Sequence, residues 1–119
     1  MNASPVLRRA RRIVLAAHRT VRSVAPRAEM IACGGERPAS RSMMWKLVRY
    51  AVDGQIVVTL GTFSEHASLF FAHGSALDDP GGLLEGTGKD LRYVTLRTPA
   101  DAGRGMLKKV LRQAFAAAG

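Results

Sequence analysis

Asp53-Gly54 stands between two runs that alternate apolar and polar residues, and this feature narrows the chain's folding options furthest. An Asp-Gly pair suits a two-residue type I′ turn, which needs positive φ at both central positions. Before it, Met43, Trp45 and Leu47 alternate with Met44, Lys46 and Val48; after it, Ile56, Val58 and Leu60 form one face. Period two on both sides of such a turn predicts an antiparallel hairpin.

Two more strands extend the pattern. Ser64-Glu65-His66 reads as a second turn, Ala67 to Ala72 as a mostly buried third strand, and Leu91 to Arg97 as a fourth. The first three strands form a meander, and the Gly-rich loop leads into the fourth. Helices flank them. Ser4-Pro5 supplies an N-cap and a first-position proline. Val6, Ala10, Ile13, Ala17, Val21 and Val24 recur at helical spacing, with Arg8, Arg12, Arg19 and Arg22 on another face. Pro26 ends this helix near Val24. Ala28 to Ala32 is expected to add a helical turn, and Gly34 to Pro38 to form a loop. Thr98-Pro99-Ala100-Asp101 opens the last helix with a cap, a proline and an acid suited to a capping box. Gly103 and Gly105 weaken its start, so the solid helix is expected near Met106, with Leu107, Val110, Leu111, Ala114 and Phe115 as its apolar stripe.

The expected fold class is α+β, a two-layer helix/antiparallel-sheet sandwich in the order α-β-β-β-β-α, with both helices on one face. One domain spans 1–119, with a first helix at about 4–24, a sheet at about 42–97 and a last helix at about 99–118. The 119 residues suffice for one core and are too few for two.

Bulk chemistry excludes several classes. No run approaches the roughly 18 apolar residues of a membrane span. The single Cys33 rules out an internal disulfide and a multi-Cys zinc site. The Arg-rich start, without an acid before Glu29, has the composition of a mitochondrial presequence, but its packing stripe marks it as the first helix of the domain. Arg11 and Arg12 split its apolar stretch, so it is a poor secretory signal. A cytoplasmic protein without a membrane segment is therefore expected. The net charge is +9, and Arg outnumbers Lys fourteen to four. Such an excess attracts anionic partners, yet it also aids solubility and follows from a GC-rich coding bias.

The glycine-rich run Asp78 to Val94 invites a phosphate-cradle reading. A P-loop would need Gly at position 83, which is Leu83, and Ser or Thr after Lys89, where Asp90 stands. A strand pattern follows instead of a helix, so no helix N-terminus receives a phosphate. The dinucleotide fingerprint fails as well, for want of a third glycine and a βαβ order. The glycines fit a compact loop with Leu83 and Leu84 tucked beneath. An anion site remains open where Gly86, Gly88, Lys89 and Arg92 meet a sheet end, with His66 as a polar neighbour.

His18, His66 and His73 lie in three elements without metal-ligand spacing, and His18 is expected to project from the Arg-rich helix face. No metal, cofactor or catalytic residue is assigned. Ser64, Glu65 and His66 are adjacent, which is not triad geometry, and no nucleophile elbow occurs. The first helix is basic enough to lie against phosphates, but no aromatic interleaves with its arginines.

His66-Ala67-Ser68-Leu69-Phe70-Phe71, followed by Gly74, Leu77, Asp79-Pro80, Leu83-Leu84-Glu85-Gly86-Thr87-Gly88-Lys89 and Arg92, resembles the YdhG-like family of small uncharacterised bacterial domains, grouped with YjbR-like and frataxin/CyaY-like proteins. The resemblance is dense from about Ile56 to Leu96 and implies a helix–antiparallel sheet–helix sandwich. Many members carry Trp-x-x-Pro-x-Tyr after the first helix, where this chain reads Cys33-Gly34-Gly35-Glu36-Arg37-Pro38. Some members are described as frataxin-like iron chaperones, which use an acidic ridge on the first helix and strand. This chain has Arg there, and like charge opposes iron delivery by that route.

The sequence thus points to a small bacterial binding or interaction domain for an anionic ligand or a protein partner. An iron chaperone, a nucleic-acid binder through the first helix, and an enzyme follow in that order. Monomer and homodimer are both open, since an exposed edge strand can pair with its copy.

Overall fold

The computed structural model describes residues 5–34, 46–63, 65–79 and 81–118. Helix α1 (Pro5–Val24) leads into five strands: β1 (Glu29–Gly34), β2 (Lys46–Val52), β3 (Gln55–Thr62), β4 (Ala67–Phe71) and β5 (Arg92–Leu96). A short 3-10 turn, Gly74–Ala76, follows β4, and helices α2 (Pro99–Ala102) and α3 (Gly105–Ala118) follow β5. The sheet is antiparallel throughout, in the order β1-β2-β3-β4-β5.

The fold class agrees with the sequence reading, and the strand count differs by one. Glu29–Gly34, expected as a helical turn running into a loop, is an edge strand paired with β2 through Met30↔Tyr50 and Ala32↔Val48. Its local sequence favours neither state, and pairing with β2 decides it. Met43, Met44 and Trp45, most of the Gly34–Pro38 loop, Ser4, Ser64 and Pro80 lie outside the described residues.

The Asp53-Gly54 turn forms as expected, with φ of 50° and 82°. Close to it the register slips, from Tyr50↔Val58 to Ala51↔Ile56. Val57 is the extra residue of this bulge, and both Val57 and Val58 are buried in the core. Cross-strand rows then divide the sheet. Tyr50, Val58 and Phe71 share one row, and Leu60, Leu69 and Val94 the next; all are buried. Against them pack Ile13, Ala17 and Val21 of α1, and Leu107, Val110, Leu111 and Phe115 of α3. The opposite face carries Arg49, Thr59, Phe70 and Tyr93 in one row, all half-buried.

The last helical segment is split. Thr98 and Asp101 close a complete capping box on α2, which stops after four residues at Gly103. Gly103 closes the turn with its N–H donating to the Ala100 carbonyl at 3.1 Å, and α3 restarts at Gly105. The Thr20 hydroxyl ties α1 to this break by donating to the Ala102 carbonyl at 2.7 Å.

His18 departs from its expected position. It lies half-buried at the margin of the α1 stripe, four residues after Val14, with Nδ1 2.8 Å from the Tyr50 hydroxyl.

Candidate functional site

The glycine-rich run is a structured loop that covers a sheet edge. The Asp79 carboxylate accepts the Leu83 and Leu84 N–H groups at 2.9 and 2.8 Å. Leu83 and Leu84 are half-buried against the core, as expected. Glu85 and Tyr93 exchange two backbone hydrogen bonds of 2.8 and 2.9 Å, so the loop blocks the free edge of β5. Gly86 there has φ of 118°, a conformation that glycine adopts without a Cβ penalty.

Gly86, Gly88, Lys89 and Arg92 therefore share one loop-and-strand segment. Gly86, Gly88 and Lys89 are exposed. Arg92 is half-buried, and its Nη1 donates to the Gly88 and Leu91 carbonyls, closing the loop on itself. His66 is not brought to this group. The register Ala67↔Leu96 and Phe71↔Arg92 puts His66 and Arg92 at opposite ends of β4.

That register sets His66 alongside Arg97 instead. The His66 ring stacks on Phe63 at 4.4 Å and 7°. Partial burial lowers its pKa below the usual value; the Arg97 charge pushes the same way and Glu65 opposes it. A neighbouring anion would favour the protonated ring and reverse this shift.

Arg97 also borders an open cleft of about 230 Å³, which Arg9, Arg12, Thr98 and Pro99 complete. Two arginines come from the start of α1 and the third from the end of β5, so the cleft exists only in the folded chain. All three are exposed, and none has an ion-pair partner among the described residues. The one acid nearby in sequence, Asp101, accepts the Arg97 and Thr98 N–H groups through Oδ2.

Along the helices that border the sheet the charge is segregated. The segments 5–24 and 104–118 contain ten bases and no acid: Arg8, Arg9, Arg11, Arg12, Arg19 and Arg22, then Arg104, Lys108, Lys109 and Arg112. Among the described acids, only Asp101 belongs to a helix. Glu29, Asp53, Glu65, Asp78, Asp79, Glu85 and Asp90 lie in strands, turns and the edge-covering loop. Net charge and the Arg periodicity of α1 hinted at a basic face. The convergence with Arg97 depends on the chain path and has no local sequence signal.

His18, His66 and His73 stay apart, and no group of three or more His, Cys, Asp or Glu side chains converges among the described residues. No described helix is long and apolar enough to cross a membrane. Set against protein families, curated proteins and solved structures, the chain matches none.

Proposed function

We propose that the chain is a binding domain whose helix layer holds phosphate groups, with the backbone of a nucleic acid as ligand. The observation that carries this reading is the Arg9–Arg12–Arg97 cleft within a helix layer of ten bases. Guanidinium groups grip phosphate oxygens in bidentate fashion, and unpaired ones need not first leave an acid. A single phosphate in the cleft is the minimal form of the interaction. The cleft carries the reading rather than the Gly86–Arg92 loop, because Nη1 of Arg92 is already engaged by two carbonyls. An acidic membrane surface suits the helix layer less well. The apolar stripe of α1 is consumed by the core, which leaves Leu15 as its one large exposed apolar residue among those described.

The YdhG-like resemblance belongs with this reading. Its support is the His66–Arg92 motif together with the helix–sheet–helix order. A bacterial, cytoplasmic setting goes with it, where nucleic acids and phosphorylated ligands are at hand.

Fluorescence anisotropy of a labelled random-sequence duplex tests the proposal. Dissociation constants of about 10⁻⁶ to 10⁻⁴ M are expected, with log affinity falling linearly in log salt by about 0.9 per phosphate neutralised. No binding at about 50 mM salt, or binding indifferent to salt, overturns it. Parallel titrations use inorganic phosphate and phosphatidylserine vesicles. Binding to vesicles without duplex binding would assign the face to membranes, and binding to phosphate alone would reduce it to a small-anion site.

A further inference from the structure

A second concavity lies at the other end of β4, away from the arginine cleft. It is an open notch of about 140 Å³ between Gln55, Ile56 and Val57 of β3, Phe71 of β4, His73, Ala76 and Leu77, and the last turns of α3. Three features of the chain make it. The β3 bulge turns Val57 inward as a wall. The α3 stripe, which fills the interior with Leu107, Val110, Leu111 and Phe115, presents only Ala114, Ala117 and Ala118 here. Ala76 of the 3-10 turn keeps the opposite side equally small.

The lining is apolar except for Gln55 and His73. Both are exposed, and neither side chain has a hydrogen-bond partner among the described residues. The His73 side chain does not cap the 3-10 turn that it precedes. Ala117 and Ala118 also bring the C-terminal end of α3 to the rim, where last-turn carbonyls lack partners within the helix.

We infer that this notch is a binding site for a small neutral ring compound bearing one hydroxyl group, of the phenol class. Its volume is close to the roughly 150 Å³ of an apolar cavity known to hold a benzene ring. It falls well short of the roughly 300 Å³ at which pockets for larger ligands begin. The ring lies against Ile56, Ala76, Leu77, Ala117 and Ala118, over the buried Val57 and Phe71. The hydroxyl points to the mouth, where it donates to an α3 carbonyl or the Gln55 amide oxygen and accepts from His73 or Gln55. No Asp, Glu, Lys or Arg lines the notch, so a carboxylate or a cation would enter without an opposite side-chain charge beside it.

The test is an amide-resolved NMR titration of the full chain with phenol, repeated on Ala117→Leu and Ala118→Leu. Both substitutions fill the notch from the helix end, at positions outside the fully buried core. The expected result is saturable shifts confined to Gln55–Val57, His73–Leu77 and Ala114–Ala118. Binding should weaken by about tenfold or more in each variant, with the other amides unmoved. Shifts that rise linearly without saturation, or that survive undiminished in both variants, overturn the inference. The same amides shifting with protein concentration alone would also overturn it, because a side chain of a second copy would then occupy the notch.

Discussion

Tyr50 and Gly74 are the residues through which the core is most open to measurement. Tyr50 is fully buried, and burial pushes its phenol up to about 12, with the nearby Arg22 charge working against that rise. The folded chain therefore prefers the neutral phenol more than the unfolded chain does. The associated stability is intact below about pH 10 and is lost as pH rises from there towards 12, about 3 kcal/mol in all. Urea midpoints across this range should fall steeply for the wild type and distinctly less for Tyr50→Phe; equal slopes would contradict the assignment. Gly74 is buried against β5, where an added Cβ would lie 2.9 Å from the Arg92 backbone nitrogen. Backbone cannot yield as a side-chain end does, so Gly74→Ala should cost about 1–3 kcal/mol in chemical unfolding. An unchanged midpoint would show that the 3-10 turn is free to move away.

Among the elements, those specified by local chemistry were legible in the sequence, and those specified by a distant partner were not. The Asp53-Gly54 turn, the stop of α1 before Pro26 and the Thr98–Asp101 capping box each rest on residues a few positions apart. The spacing of Glu29–Gly34 does not mark a strand, because it becomes one only through its pairing with β2, which begins at Lys46. The loop after β4 was legible as a compact turn. The use of Asp79 was not, since its two acceptor contacts depend on the chain returning over it. Asp79→Ala should release the Leu83 and Leu84 amides, raising their hydrogen exchange by about tenfold or more while β3 and β4 stay protected. Protection unchanged at both amides would mean that the loop is held by its leucines alone.

For the whole molecule, composition gave the excess of positive charge but not its placement. Folding collects the bases of α1 and α3 in one layer and leaves the described acids, apart from Asp101, to the strands, turns and edge loop. The anion site expected around Lys89 and Arg92, with His66 beside it, was a reading of neighbours in sequence. The strand register regroups them, separating His66 from Arg92 and joining it to Arg97. Neither the cleft nor the notch at the other end of β4 can be read from spacing, because each is assembled from segments far apart in the chain.

The salt dependence of duplex binding, compared between a helix-layer charge reversal and a loop charge reversal, tests the phosphate-binding role of that layer most directly. The triple variant Arg9→Glu, Arg12→Glu, Arg97→Glu should bind far more weakly, with a log–log salt slope shallower by about 0.9 for each phosphate that is no longer neutralised. Lys89→Glu should leave the slope close to that of the wild type. A slope unchanged in the triple variant, or flattened by Lys89→Glu alone, would contradict that role and return the anion site to the glycine-rich loop.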